Sequence, residues 1–414
     1  MWIGDQLLIT PLNGNIAKNL IESSEETVKG IAYNNIEMWL GDNLFTCKDN
    51  SWKSERKALL PIFHQTRFKD YIGSFNRESK IFTSVLENQA ERLVDLYPYI
   101  KRCALDIICN TCLNFDSKAQ TDQNHKYVDA VSEMNHMIIL FTMKPWLKLP
   151  IIFELGGWKR KFNECLRTLE EFTMKIIDER IGAMKYSKEN LTENSSIVDK
   201  LLSNPSYTKP KIREFIDAFL FAGHDTITSA LSWTIWCLAC HEETQDEIYK
   251  ETMMILSDST SKEVTIGELN QCGCLDRAIR ESLRLFPPAP VVQRKLKNDL
   301  ELDGTILPKE ANICVSPIVM HRNEQVWKNA NKFDPNRFLS DQKTSRSLYD
   351  YLPFFAGPRN CLGQKFAMIE LKVVLLWLIR SYKISTPHDF EKNIPLLEVI
   401  LRPSLGVPVI LEKR

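Results

Sequence analysis

The sequence predicts a mainly α protein with small β-sheets (α+β), and three observations carry that prediction. Glycine is scarce, 15 in 414 residues, while aromatic residues make up 10%. That balance favours long helices around a large core over a turn-rich β protein. Residues 52–290 read as a helix-rich part, with apolar residues recurring at helical spacing. The texture then changes: residues 291–316 alternate, carry Gly304 and Pro308, and read as short strands. Apolar residues at 44% and charged residues at 26% lie near the globular average and exclude disordered, collagen-like and coiled-coil chains.

Taken in order, residues 2–12 read as a strand, 13–40 as helix and loop, and Gly41-Asp42-Asn43 as a turn. Helices are predicted over 52–64, 70–96, 100–113 and 122–142. Pro145, Pro150 and Gly156-Gly157 break the pattern around Trp146-Leu147 and Ile151-Ile152-Phe153. This apolar loop region is either core or a surface that touches a membrane or lines a substrate entrance. Residues 159–186 are helical, and 187–210 form a polar surface loop around a short helix. The sequons Asn190-Leu-Thr and Asn194-Ser-Ser in that loop are read as unused, because no secretory signal is visible. Residues 211–240 form the longest helix, ~45 Å at 1.5 Å per residue. It is apolar nearly all round and therefore buried. Helices follow over 243–256 and 275–285, the second stopped by Pro287-Pro288. A loop-rich stretch over 317–360, a helix from near Cys361 to about Tyr382, and strands over 393–401 and 406–412 complete the chain.

Lys+Arg and Asp+Glu both number 53, so the net charge is zero. Bulk electrostatic binding of nucleic acid is excluded, although a local basic patch is not. Eleven cysteines, an odd number, exclude a complete disulfide framework. Cys103, Cys109, Cys112, Cys237 and Cys240 sit in apolar helical surroundings and read as buried free thiols of a reducing compartment. Cys109-x-x-Cys112 and Cys237-x-x-Cys240 have zinc-like spacing but no knuckle glycines, and Cys272-Gly-Cys274 lies in a loop, so no zinc site is predicted. His224, His241 and His321 have no partner at ligand spacing. No apolar stretch reaches the ~18 residues needed to span a bilayer. Met1-Trp2-Ile3-Gly4-Asp5 lacks a basic signal-peptide region.

The segment Phe354-Phe355-Ala356-Gly357-Pro358-Arg359-Asn360-Cys361-Leu362-Gly363 places a cysteine where a Gly/Pro-rich loop enters a helix. Free N–H groups and a partial positive charge gather there. Both favour thiolate over thiol, and a thiolate held this way is a candidate axial haem ligand. Gly357 allows a tight turn and Gly363 a close approach to a flat cofactor. Phe354 is placed to shield the sulfur, and Arg359 to reach an acidic group on the cofactor rim. On these residues alone, a helix start with an incidental cysteine stays open. In Ala222-Gly223-His224-Asp225-Thr226, residues that suit a helix interior poorly sit mid-way along the longest helix. Gly223 permits a local widening, Thr226 can hydrogen-bond a ligand or water, and Asp225 is a potential proton carrier. A helix flaw tolerated by packing is the alternative. Glu281 and Arg284 at i, i+3, and Trp52 and Arg56 at i, i+4, each share a helix face.

Position by position, residues 354–363 resemble the haem-binding loop of cytochromes P-450: Phe, two residues, Gly, one, Arg, one, Cys, one, Gly. Glu281-Ser-Leu-Arg284 resembles the family's Glu-x-x-Arg motif, and Arg337 in Pro335-Asn-Arg337-Phe338 resembles the loop arginine that completes the cluster. The resemblance implies one catalytic domain over residues 1–414, a triangular helical prism with the long helix over the haem. Its β-rich part would lie at 1–12 and 291–316, and its haem-binding loop and helix at 354–382. It implies haem b ligated by Cys361, with Phe354, Gly357, Arg359 and Gly363 around it and Trp52, Arg56 and Arg294 on its propionates. Asp225 and Thr226 would deliver protons, and Phe219, Ala222, Thr226, Val291 and Val292 would line the substrate pocket. Glu281, Arg284 and Arg337 would lock the loop, a cluster in which losing one partner costs ~3–5 kcal/mol.

Arg213-Glu-Phe-Ile-Asp-Ala-Phe-Leu-Phe before Gly-His-Asp-Thr, Trp39-Leu-Gly-Asp42, Arg56-Lys57-Ala58-Leu59-Leu60, Phe63-His64, His321-Arg322-Asn323 and Phe333-Asp334-Pro335 resemble the fatty-acid omega-hydroxylase branch, its insect members especially. Two positions depart. Ala222 stands where many members carry a Glu that in some forms an ester to haem, so the haem here is expected to be non-covalent apart from the Cys361–iron bond. Ile227 replaces a frequent second Thr. Members of that branch begin with a membrane anchor and a Pro-rich hinge, so the chain is expected to be short at its N-terminus. The implied activity is insertion of one oxygen atom from O₂ into a C–H or C=C bond of an apolar substrate: a fatty acid, a terpenoid or steroid hormone, or a xenobiotic. Electrons would come from an NADPH–cytochrome reductase docking at Lys53, Lys57 and Lys365, with cytochrome b5 as a further donor. The implied location is the cytoplasmic face of the endoplasmic reticulum membrane, with no nucleic-acid partner. Two other readings stay open: a non-catalytic haem-binding fragment, and a haem-thiolate isomerase or dehydratase, which the Asp225-Thr226 pair disfavours.

Overall fold

The computed structural model describes residues 2–3, 6–48, 51–122, 125–186, 196–257, 262–339 and 346–414. The two sequons at Asn190 and Asn194 lie outside the described residues. The chain divides into two compact units. Met1–Ile31, Phe68–Ile100 and Thr226–Arg414 make the first, and Ala32–Arg67 and Lys101–Asp225 the second. The boundary between Asp225 and Thr226 falls inside the Lys209–Cys240 helix, the longest described.

The first unit holds the described sheets. Trp2–Ile3 pairs antiparallel with Gln6–Ile9, which runs parallel to Asn312–Val315, itself antiparallel to Val292–Lys295. The strand expected over 2–12 is therefore two antiparallel strands, with Ile3 opposite Gln6. Leu93–Asp95 and Tyr382–Ser385 both pair antiparallel with Pro408–Lys413. Hence the helix expected over 70–96 ends early: it spans Phe68–Leu86, and Val94 lies opposite Val409. The apolar pattern continued past Leu86, but pairing with a strand far away in sequence overrode it. Pro395–Leu396 and Arg402–Pro403 form a hairpin where one strand over 393–401 was expected. The Phe68–Leu86 helix packs on Gln364–Ser381, with Tyr71 and Phe75 edge-on to Phe366 at 5.6 and 5.0 Å between ring centroids. Asn76 locks this pair. Its Oδ1 accepts from Trp377 Nε1 and from the Val264 N–H, both at 2.9 Å.

The second unit is helical around aromatic contacts. Lys126–Met143 packs on Trp158–Tyr186 through Tyr127 and Phe172, 4.4 Å apart, and through Phe141 and Phe162. Ser51–Leu59 stops before Pro61, which supplies no N–H to continue it, and Leu60–Phe63 tightens into a 3₁₀ turn. The apolar segment left open between core and surface is a surface. Trp146, Leu149, Ile151 and Leu155 are 53, 55, 73 and 85% exposed around the short Pro150–Leu155 helix. Among the described residues no helix is long and apolar enough to cross a membrane.

Candidate active site

None of the eleven cysteines is in a disulfide, and Cys361 is the one that is exposed. Burial pushes the thiols of Cys109 and Cys237 up in pKa, and that of Cys240 up to about 12, so these stay neutral. Cys361 lies three residues before the helix that was expected to start at it, since that helix spans Gln364–Ser381 with Gly363 as its cap. What shapes the loop is its own backbone. The Cys361 N–H donates to the Phe354 carbonyl at 2.9 Å, Asn360 N–H to Gly357 O at 3.1 Å, and Phe355 N–H to Leu352 O at 3.2 Å. Gly357 has φ +70°, and a Cβ there would overlap the Ile21 carbonyl oxygen and lie 2.9 Å from its carbon. Only glycine fits this turn. Gly363, at φ −90°, has an ordinary conformation.

Arg294, on the Val292–Lys295 strand, is 4% exposed. Its Nη1 donates to the Gln293 carbonyl at 3.1 Å, and its guanidinium lies 5.5 Å from the ring centroid of Phe355 in the Cys361 loop. Arg359 and Phe354 are half-buried in the same loop, Val292 is half-buried, and Val291 is exposed. An accessible soft thiol and arginines fixed on one loop and its neighbouring strand suit a cofactor that offers a metal ion and carboxylates. The donor set of this unit therefore fits haem.

The predicted cluster is present in full. Arg284 grips Glu281 with two bonds, Nε to Oε2 at 2.7 Å and Nη2 to Oε1 at 2.8 Å, and both side chains are 0% exposed. Arg337 Nε adds a third at 3.2 Å, and the Asp334 N–H a fourth at 2.9 Å. The remaining guanidinium donors serve carbonyls of 321–332. Arg284 reaches His321, Ala330 and Lys332, and Arg337 reaches Lys328 and Asn329. Such a cluster is tolerable in a dry interior because every charge is paired. Arg346, absent from the sequence expectations, stacks over Trp327 at 4.4 Å beside it.

In the second unit, Trp52 is buried and Arg56 half-buried, one turn apart on Ser51–Leu59. Along the Lys209–Cys240 helix, Phe219 and Thr226 are half-buried and Ala222 is exposed, an accessible stripe in a stretch, 215–239, whose other residues are buried apart from the half-buried Gly223. Phe63 stacks on Phe219 with centroids 6.1 Å apart. The helix runs unbroken through Gly223. The glycine admits Ile108, whose Cδ1 lies 2.7 Å from where a Cβ would sit. Asp225 is 5% exposed and already engaged: Asn135 Nδ2 donates to it at 2.7 Å, and Lys101 Nζ is 3.8 Å away. Lys101 also donates to Ser132 Oγ at 2.5 Å. The sequence reading missed Lys101 and Asn135, although a lysine inside the apolar run 100–113 signals a buried acid partner.

Comparison with known proteins meets this geometry. The cytochrome P450 family model matches residues 11–410. Cytochrome P450 4V2 of Homo sapiens is 32% identical over 432 residues, covering 100% of this chain and 82% of its own length. Cytochrome P450 4c3 of Drosophila melanogaster is 31% identical, covering 99% of this chain and 80% of its own. Cytochrome P450 4c21 of Blattella germanica is 32% identical, covering 100% and 85%. The crystal structure of the cytochrome P450DA haem domain superposes with a TM-score of 0.86 at 22% identity, covering 100% of this chain and 89% of that one, a likeness of fold. The chain belongs to the cytochrome P450 family, as a monooxygenase with haem b bound through a cysteine thiolate.

Proposed function

We propose that Cys361 is the thiolate ligand and that the substrate is a fatty acid or a similarly apolar chain, hydroxylated at a C–H bond. One observation carries the ligand assignment: Cys361 alone of eleven cysteines is exposed, in a loop whose turn requires glycine at 357. The substrate class rests on the likeness to the omega-hydroxylase branch and on the apolar, accessible stripe of Phe219 and Ala222 beside Thr226. Bound haem supplies the oxygen chemistry.

The protein supplies binding, orientation and protons. Phe219 and Ala222, on the long helix, are assigned to hydrocarbon binding, and the family likeness gives Val291 and Val292 the same role. The Thr226 hydroxyl donates a hydrogen bond from the accessible stripe. Asp225 delivers protons only after its carboxylate leaves Asn135 and Lys101, so a side-chain rotation is part of each proton transfer. When haem is bound, Arg56, Arg294 and Arg359 would neutralise its carboxylates and the Trp52 indole N–H would donate to one of them. Phe354 would shield the Cys361 sulfur, Gly357 keeps the loop's turn, and Gly363 would let the helix approach the ring. Ala222 has no carboxyl with which to esterify the haem.

Electrons come from a flavoprotein reductase docking through Lys53, Lys57 and Lys365, all exposed, with cytochrome b5 as a second donor. The exposed apolar residues of 146–155 rest on the endoplasmic reticulum membrane, a partly buried mode that needs no spanning helix.

A ferrous carbon-monoxide difference spectrum of the wild type and of Cys361→Ala tests the ligand. The thiolate band is expected in the first and absent in the second. Turnover with reductase over a panel of fatty acids, terpenoids and steroids tests the substrate. Faster turnover of terpenoids or steroids than of every fatty acid would overturn that part.

A further inference from the structure

We propose that His321 is a positioning residue, whose neutral imidazole ties the Cys361 loop to the Glu281–Arg284–Arg337 cluster. This rests on the reading of Cys361 as the thiolate ligand. His321 caps the short Pro317–Met320 helix and is 0% exposed. Its Nδ1 lies 3.1 Å from the Arg284 carbonyl, and its Nε2 lies 2.7 Å from the backbone nitrogen of Leu352. A carbonyl can only accept and a peptide N–H can only donate. Nδ1 therefore carries the proton, and Nε2 accepts from Leu352. The partners fix one tautomer, and a second proton would set two N–H groups against each other at Leu352. Burial, with Arg284 and Arg322 nearby, holds the His321 pKa down to about 3, consistent with that neutral form.

The contact is reciprocal, because Arg284 Nη1 donates back to the carbonyl of His321 at 2.8 Å. His321 and the cluster therefore hold each other from two sides. On the other side the hydrogen bonds run toward the sulfur. Leu352 donates to His321, its carbonyl accepts from Phe355, and Phe354 accepts from the N–H of Cys361. Leu352 itself is 2% exposed, in the core cluster with Ile21 and Met320. The neighbouring Tyr351 ring packs 5.4 Å from the imidazole and donates its hydroxyl to the Arg280 carbonyl at 2.9 Å. Both residues that lead into the Cys361 loop are thus anchored to the Gly273–Leu285 helix, Tyr351 directly and Leu352 through His321.

Two substitutions separate the two bonds. In His321→Gln, the amide oxygen reaches the place of Nε2 and keeps the acceptor for Leu352. In His321→Asn, the shorter amide reaches the place of Nδ1, and the buried Leu352 N–H is left without its acceptor. The probe is the carbon-monoxide spectrum of the haem-loaded full chain during incubation in mild urea, read as the rate at which the thiolate band gives way to the thiol band. Asn is expected to speed this conversion by about tenfold or more, the effect of stranding one buried donor. Gln is expected to stay within about threefold of wild type in this readout, because the bond it loses, Nδ1–H to the Arg284 carbonyl, lies on the cluster side, while the Leu352 N–H that holds the Cys361 loop keeps its acceptor. Any other ordering overturns the proposal, including both variants matching wild type or both failing alike. Cys361→Ala is the control. If it keeps the thiolate band, the ligand assignment falls and this proposal with it. If it loses the band while Asn behaves as wild type, only this proposal falls.

Discussion

Lys101→Met probes how the central helix holds its acid. The Lys101 Nζ is 3.8 Å from Asp225 Oδ1, with side chains only 4% and 6% exposed. At that separation two unit charges attract by about 4 kcal/mol at an effective dielectric of about 20. Methionine fills the space of the methylene stem, so packing is largely kept while the charge is removed. Asp225 then retains the neutral Asn135 donor at 2.7 Å, which leaves a buried carboxylate without its cation. Removing one member of such a pair costs about 3–5 kcal/mol. Combining Lys101→Met with Asp225→Asn removes both charges and should recover a large part of that loss. The assay is a double-mutant cycle by urea unfolding of the haem-loaded protein, read by tryptophan fluorescence. A favourable coupling of roughly 2–4 kcal/mol is expected. A coupling within about 0.5 kcal/mol of zero would mean that solvent, not Lys101, carries the Asp225 charge, and the argument would fail.

Three further outcomes follow from the structure. Gly357→Ala puts a Cβ into the Ile21 carbonyl at φ +70°; the backbone conformation alone costs about 1–3 kcal/mol, and the variant should lose the thiolate carbon-monoxide band before it loses helical circular dichroism. Asp217 is 3% exposed, and burial raises its pKa from 3.8 to about 7 despite the Thr173 hydroxyl at 2.5 Å and Arg213 at 3.2 Å. Because the native state holds that proton more tightly than the unfolded chain, its contribution to stability falls as pH rises from about 4 to about 7, by at most roughly 4 kcal/mol. Asp217→Asn should therefore gain on wild type in urea midpoint between pH 5 and pH 8, and a pH-independent difference would refute the burial argument. Ile151→Glu with Leu155→Glu, at sites 73% and 85% exposed, should weaken sedimentation with phospholipid vesicles at least about tenfold while leaving the thermal midpoint unchanged.

Much of the molecule was legible where the signal is local. The long helix, the Glu281–Arg284 face and the loop before Gly363 are written in spacing within a few residues, and the structure has them at those positions. What was not legible depends on partners remote in sequence. Leu93–Asp95 is a strand because Pro408–Lys413 lies beside it, and nothing near residue 93 announces that. Gly223 reads from sequence as room for a local widening, and what the glycine admits is a side chain at residue 108. His321 was set aside as a ligand for lack of a partner at useful spacing. Its partners are backbone atoms of Arg284 and Leu352, which no side-chain pattern encodes.

The same distinction accounts for the poor helix formers at the middle of the longest helix. Gly223, His224, Asp225 and Thr226 contradict the local preference for helix, yet the helix runs on through them. Each is held by something that propensity does not count. Gly223 meets Ile108, His224 is 0% exposed with its pKa lowered by burial, and Asp225 meets Lys101 and Asn135. Thr226 differs: it is half-buried on the accessible stripe with Phe219 and Ala222. At 3.6 residues per turn, positions 219, 222 and 226 share one face, while 224 and 225 turn away from its centre. The helix therefore keeps its charged group on the paired side and a hydroxyl on the open side. A substrate placed along the open side, as proposed above, would meet apolar carbon and one hydroxyl, and the carboxylate would reach it only by giving up a cation. If Asp225 carries protons as proposed above, stability and proton delivery draw on the same ion pair, so substitutions at Lys101 should move both together, whereas substitutions at Thr226 should move turnover alone.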